Sequence, residues 1–282
     1  MAIALSASIA VCGSSVQAQT PAFRFAFMTD MHLGFSDEAN ILPLRIAVDS
    51  ALRRGVDFIL AGGDNIDIDN QKDSSECVRR YERFSEFVRT QKVPVYPAIG
   101  NHDRYWLSGA DSPLANTGMW RKYIGDPYYS FDHKGWHFIV LNTAEPGGNT
   151  PYRVGLEQQE WLREDLAATA VQTPIVVVAH VPFFSLYYPA LEGRYTDTDI
   201  FANFKEILDM FDSHNLKLVL QGHQHLYEEI RVLGVQFITG GAVSAGWWGG
   251  AFHGTEEGFL LVEVEGDDFR WEYVDYGWEA EK

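Results

Sequence analysis

Cysteine is nearly absent from this chain: Cys12 and Cys77 are the only thiols in 282 residues. Positive charge is scarce as well, with 22 Lys and Arg against 39 Asp and Glu, a formal net charge of −17. A field of that sign repels polyanions, so long nucleic acid is not an expected partner unless cations reverse it locally. Beyond the opening residues no segment is apolar and long enough to cross a bilayer, so no stable membrane anchor is expected. Internal repeats, low-complexity tracts and a linker to a second domain are also missing. Hydrophobic residues make up 46% of the chain, enough to build one sizeable core, expected over residues 19–282.

The first eighteen residues carry no charged side chain. Ala2 to Val11 form a short apolar run, and Val16-Gln17-Ala18 fits a signal-peptidase site before Gln19. Residues 1–18 therefore read as a signal peptide and the protein as exported, periplasmic or extracellular. No Lys or Arg follows Met1, which leaves open a start inside a longer signal. Cys12 raises a lipoprotein alternative, but Val11 stands where a small residue is expected before a lipidated cysteine. Cleavage leaves Cys77 alone, which excludes an internal disulfide and a multi-thiolate metal site.

Hydrophobic periodicity predicts strands at 23–28, 58–61 and 93–99, alternating with amphipathic helices at 40–54 and 74–91. That rhythm argues for a parallel or mixed sheet covered by helices. Residues 104–127 dissolve into a loop rich in Gly, Ser, Pro and Asn, and so long a loop is usually functional. A hairpin follows at 128–141, then helices at 155–168 and 203–215 and strands at 175–178 and 216–220. After that only short strands are expected, at 227–232, 235–239, 259–265 and 269–274. The picture is two packed sheets with helices outside.

Five polar strings fall where those strands end. They are Asp30-Met31-His32, Gly63-Asp64-Asn65, Gly100-Asn101-His102-Asp103, Ala179-His180-Val181-Pro182 and Gly222-His223-Gln224-His225. Each alone has an ordinary reading: a common Asp-x-His, a glycine turn with a capping aspartate, a buried structural histidine. Together they supply carboxylates, amides and imidazoles at loop positions, and ligands gather at the carboxyl ends of strands in open α/β sheets. Asp30 and His32 can point at one ion, Asp64 can bridge two, and His223 and His225 can serve different ions. Nitrogen and oxygen ligands suit Zn, Mn, Fe or Ni. His133, His137 and His214 read as structural.

The five strings resemble the signature of the calcineurin-like metallophosphoesterase superfamily, D-x-H, G-D-x-x, G-N-H-[D/E], an isolated H and G-H-x-H, from Asp30 to His225. The resemblance implies an α/β protein, a four-layer α/β/β/α sandwich with a dinuclear metal site at the C-terminal strand ends. It implies that Asp30, His32 and His225 hold one transition-metal ion and Asn101, His180 and His223 the other, divalent or mixed-valence, with Asp64 between them. His102 is then the acid for the leaving group, with Asp103 behind it. The implied activity is hydrolysis of a small phosphoester.

Three departures narrow this expectation. Purple acid phosphatases carry a tyrosine three residues after the bridging aspartate, where this chain has Asp67, so an iron–tyrosinate centre is not expected. Protein Ser/Thr phosphatases usually have Glu at the position of Asp103. Exported 5′-nucleotidases add a large C-terminal domain for which there is no room. Trp247 and Trp248, between glycines after the last string, either wall a substrate pocket or pack the sandwich edge, and Tyr187 lies in a loop that can face the site. The aromatic rim favours phosphodiesters over phosphomonoesters or pyrophosphates. A non-catalytic scaffold of the same fold is the remaining alternative, and the intact strings argue against it.

Overall fold

Alternation along single strands decides how the layers stack. The computed structural model describes residues 21–34, 41–69, 71–109, 111–146, 152–196 and 200–280; the expected signal peptide, residues 1–18, lies outside them. In β1 (Phe23–Met28) the odd residues Phe23, Phe25 and Phe27 enter one apolar cluster, while Ala26 and Met28 enter another. Strand β2 (Phe58–Ala61) splits the same way: Phe58 and Leu60 join the phenylalanines, Ile59 and Ala61 the other side. Side chains of a strand alternate between faces, so a strand apolar on both faces must be covered on both.

Two sheets meet over the phenylalanine cluster. One runs β11-β10-β1-β2-β3, with β3 at Val95–Pro97, β10 at Gly258–Glu265 and β11 at Asp268–Asp275. The other runs β4-β5-β6-β7-β9-β8, built from Tyr129–His133, Trp136–Leu141, Pro174–Ala179, Asn215–Gln221, Val235–Gly240 and Tyr227–Val232. Trp136, Phe138, Val140, Val176 and Val178 face the first sheet. Ile139, Ile175 and Val177 face outward under α4 (Leu156–Ala168) and α6 (Phe204–Asp209). Helices α1 (Ile41–Arg53) and α2 (Ser74–Thr90) cover the first sheet. The expected four-layer order of helix, sheet, sheet and helix is the order found.

Strands β1, β2 and β3 are parallel to one another, as are β5, β6, β7 and β9. Every loop that leaves the carboxyl end of one of these parallel strands therefore opens on the same edge of its sheet. All five polar strings lie in such loops.

Two expectations need correction. Residues 104–127 are not loop throughout: α3 (Gly118–Tyr123) forms there, because Trp120 and Met119 bury against α2, with the Trp120 and Phe84 rings 6.2 Å apart. Tertiary burial outweighs a loop-like composition. The helix expected over 203–215 ends at Asp209, since Asn215 already belongs to β7, paired beside Pro174. The helix α5 (Tyr187–Glu192) was also not expected; none of its residues is fully buried. Cys77 is a free, buried thiol.

Candidate metal centre

Five of the seven expected ligands stand on backbone that ordinary residues avoid. Asp30, His32, Asp64, His223 and His225 have φ of 54°, 46°, 48°, 75° and 56°. Asp and His tolerate this left-handed region better than most residues, though each such position costs about 1–3 kcal/mol. The bends turn the chain sharply at the strand ends and point side chains back over the sheet edge. Gly63, at φ 99°, serves the same end: a Cβ there would lie 2.4 Å from Nδ1 of His180. Gly222 brings the backbone in closely too, where a Cβ would meet the Thr29 hydroxyl at 2.1 Å.

Three side chains make the first cluster. Nε2 of His32 and Nε2 of His225 are 3.0 Å apart, and Oδ1 of Asp30 lies 3.4 Å from the second and 4.0 Å from the first. The opposite ring nitrogens are already occupied. Nδ1 of His32 donates to Oδ1 of Asp67 at 2.8 Å, and Nδ1 of His225 donates to the carbonyl of Ala245. With the protons held at Nδ1, both Nε2 lone pairs face a carboxylate and each other. Such an arrangement needs a positive charge at its centre.

The second cluster repeats the pattern. Nδ1 of His180 donates to the Gly62 carbonyl at 3.0 Å, which leaves Nε2 facing Oδ2 of Asp64 at 3.1 Å and Oδ1 of Asn101 at 3.2 Å. A ring nitrogen of His223 lies in the same group as a carboxylate oxygen of Asp64 and a ring nitrogen of His180, all within 4.8 Å of one another. Burial alone would lower the His180 pKa; the Asp64 carboxylate reverses that and lifts it to about 9, so a cation bound at Nε2 must displace a proton there. Asp64, though buried, is held well below the usual carboxylate range by His180 and His102. The backbone N–H of His102 donates to Oδ1 of Asp64 at 2.9 Å, and that of His223 donates to Asp30 at 3.0 Å.

The donor set fits metal ions. Two ligands on one cation with bonds of about 2.0–2.2 Å stand roughly 3.0–3.6 Å apart at tetrahedral or octahedral angles. The closest pairs in both clusters fall in that interval, the Asp30–His32 pair lies just outside it, and every donor is nitrogen or oxygen. These residues could hold Mn, Fe, Zn or Ni.

His102 stands beside the clusters with its side chain 23% exposed and Nε2 at 4.0 Å from Oδ2 of Asp64. Its expected orienting partner is not the one found. Asp103 is fully buried, and its carboxylate accepts four N–H groups: Asn65 and Ile66 backbone at 2.9 Å each, the Asn65 amide at 2.9 Å and Gly100 at 2.8 Å. It holds two ligand loops in register and does not reach the imidazole. Nδ1 of His102 is held by Asp69 at 2.9 Å, with Asp67 at 3.2 Å. Burial would depress the pKa of His102, but Asp64, Asp69 and Asp67 push it up to about 10. Two aspartates spaced two apart in an extended segment face the same way, a signal present in Asp67-Ile68-Asp69 that the motif reading passed over. Asp67 thus holds His32 with the same oxygen that approaches His102.

The paired tryptophans separate. Trp248 is buried, its Nε1 points at the His32 carbonyl at 3.4 Å, and it packs edge-on against Trp278 at 5.5 Å. It supports the His32 loop, the packing alternative of the two open for this residue, and is no second pocket wall beside Trp247. Trp247 is 36% exposed and stacks on the His225 ring at 4.1 Å. Phe252 meets Trp247 edge-on at 5.6 Å, and Tyr187, at the start of α5, stacks with Phe252 at 6.2 Å. An aromatic path therefore leads from the first cluster to α5. Tyr152, not singled out by the motifs, lies edge-on to His223 at 5.4 Å. Burial and the charges of Asp64 and Asp69 push its hydroxyl up to about 12, so it remains a neutral donor.

Comparison with known proteins agrees with this geometry. The sequence profile of the calcineurin-like phosphoesterase family matches residues 23–227. Purple acid phosphatase 15 of Arabidopsis thaliana is 28% identical over 163 residues, 53% of this chain and 28% of that protein. The matches span between a quarter and a third of the curated relatives' own length. Among solved structures, a dimetal phosphatase from Danio rerio aligns with a TM-score of 0.61 at 16% identity, over 90% of this chain and 99% of that one. GAP50, the anchor in the inner membrane complex of Plasmodium, aligns with a TM-score of 0.57 at 18% identity, over 91% and 85%. Those two likenesses concern the fold.

Proposed function

The chain belongs to the calcineurin-like phosphoesterase family, and from that premise we propose that it is a two-metal phosphoester hydrolase acting on small phosphodiesters. The observation that carries this reading is the convergence of two donor clusters from five strand ends, each with nitrogen lone pairs and carboxylates turned inward. Asp30, His32 and His225 would hold one cation, Asn101, His180 and His223 the other together with Asp64, which would also serve as the shared ligand. When bound, the two cations supply Lewis acidity that activates water and offsets phosphoryl charge.

The chain's own groups do the rest. Asp67, the carbonyl of Gly62 and the carbonyl of Ala245 keep three imidazoles in the tautomer that offers Nε2 inward. His102 keeps its Nδ1 proton on Asp69 and can present Nε2–H to the departing oxygen. Its raised pKa keeps that proton in place at neutral pH. Tyr152 can donate to a phosphoryl oxygen from the His223 side. The aromatic path through Trp247 and Tyr187 favours a diester, with one charge and two organic arms, over a monoester dianion.

The test is a substrate panel on protein of measured metal content: para-nitrophenyl phosphate, its bis ester, alkyl diesters and a pyrophosphate diester, with added manganese. About two ions per chain and a preference for diesters are expected. His102→Ala should keep both ions and lose on the order of 10²–10⁴ in rate on alkyl esters, and much less on para-nitrophenyl esters. Trp247→Ala should raise KM for the preferred diester only. At most one ion in fully active protein would refute the two-metal reading, and higher kcat/KM for simple monoesters would refute the diester preference.

A further inference from the structure

Ten large apolar side chains are exposed among the described residues, and they are not scattered evenly. Trp106 and Leu107 follow the Gly100–Asp103 string, Leu186, Leu191 and Tyr195 follow His180, and Trp247 follows His225. Six of the ten thus stand on loops that leave the carboxyl strand ends beside the donor clusters. Leu42 and Leu156 open α1 and α4, the helices that follow β1 and β5, so they start from that edge too. Val171 and Leu233 precede β6 and β9 and belong to the opposite edge.

Helix α5 concentrates the effect. Its sequence Tyr187-Tyr188-Pro189-Ala190-Leu191-Glu192 buries no residue fully, although five of its six side chains are apolar or aromatic. Leu186 before it is 54% exposed, Leu191 48% and Tyr195 after it 79%. Singly exposed leucines need no explanation, but an apolar rim around one mouth does. Whatever covers this edge must leave the mouth supplied with phosphoester. A protein seated there would close it, whereas a lipid surface both covers apolar side chains and carries the substrate. Tyr and Trp are the residues that favour a lipid–water boundary.

We propose that this edge docks on a lipid–water interface of zwitterionic headgroups, and that the substrate is a phosphodiester drawn from that surface. The chain's net charge of −17 selects the headgroup class, because an anionic surface would repel it. Leu186, Leu191 and Tyr195 enter the interface, and the path from Tyr187 through Phe252 to Trp247 leads the apolar arm toward His225. The assignment of a diester substrate rests on the function proposed above, and so does the choice of a lipid over a protein occupant; the exposed apolar edge itself does not.

The test uses the full chain loaded with manganese. Sedimentation with phosphatidylcholine vesicles should pull the protein down, and vesicles enriched in phosphatidylserine should bind it more weakly. Hydrolysis of dihexanoylphosphatidylcholine should rise at least about tenfold as the lipid passes from monomers to micelles. Leu186→Ser, Leu191→Ser and Tyr195→Ser combined should abolish both vesicle binding and that rise. Turnover of soluble bis-para-nitrophenyl phosphate should stay within about twofold in the same variant, since none of the three touches the donor clusters. Binding to neither vesicle, or a variant that binds as the parent does, overturns the docking proposal even if the soluble diester is hydrolysed. Vesicle binding by a protein that cleaves no diester refutes the substrate assignment and leaves the docking surface standing.

Discussion

Replacing Asp67 by Asn changes charge at nearly constant shape. Oδ1 of Asp67 takes the Nδ1 proton of His32 at 2.8 Å and lies 3.2 Å from Nδ1 of His102. The other oxygen is buried without a hydrogen-bond partner among the described residues, so an amide nitrogen there meets no competing donor. An Asn oxygen can still accept from His32, but a neutral acceptor bonds about half as strongly as a charged one. The imidazole becomes less basic at Nε2 and its cation is held less tightly. Loss of such an outer carboxylate typically costs about 10–100-fold in metal affinity, or roughly 1.4–2.7 kcal/mol. The second cluster is oriented by Gly62 and should keep its ion. Elemental analysis after dialysis against graded manganese buffers should therefore show one ion weakened by that factor and one unchanged. The rate on a para-nitrophenyl diester should recover to within about tenfold at saturating manganese. Both ions retained at parental affinity, or both lost together, would refute the idea that Asp67 acts through His32.

Asp103→Asn should behave differently, because its carboxylate accepts four N–H groups and an amide can serve only two. A loss on the order of 3 kcal/mol in chemical denaturation is expected, with rates on good and poor leaving groups falling together; an intact fold with a selective loss on poor leaving groups would return the orienting role to Asp103. His137 sits between Asp132 at 2.7 Å and Asp165 at 2.9 Å, and these carboxylates raise its pKa although burial opposes them. Its contribution is thus complete below about pH 6.5 and fades as pH rises through the raised value, while that of Asp165, whose pKa is lowered, fades only as pH falls through it. The denaturation midpoint of the parent should exceed that of His137→Gln most in the mildly acidic range and least above it, and a constant difference across pH would contradict the pairing. Finally, iron-loaded protein should show no purple charge-transfer band in its visible spectrum, since Asp67 occupies the tyrosine position and bonds imidazole.

Much was legible in the chain itself, for local reasons. The alternation of Phe23, Phe25 and Phe27 with Ala26 and Met28 requires a strand covered on both faces, and period two is written into consecutive residues. Polar strings directly after apolar runs show where strands end, and parallel strands put those ends on one edge. The five strings could be placed on that basis, and their resemblance to the calcineurin-like signature then named Asp30, His32, Asp64, Asn101, His180, His223 and His225 as the expected ligands. The partners that orient them could not. His102 leans on Asp69, 33 positions away in the chain, and not on its neighbour Asp103, because the turn over residues 101–103 sends the adjacent carboxylate inward to the Asn65 backbone. Trp247 and Trp248 are adjacent and chemically identical, yet one stacks on His225, 22 positions back in the chain, and the other lies against Trp278, 30 positions on, a division made by packing between segments distant in sequence. Sequence determines which groups are present and which strand end carries them, since both follow from short-range sterics and burial. Which proton is held by which carboxylate depends on contacts closed only when the loops after β1, β2 and β3 are brought side by side by strand pairing, and that was decided by the tertiary structure alone.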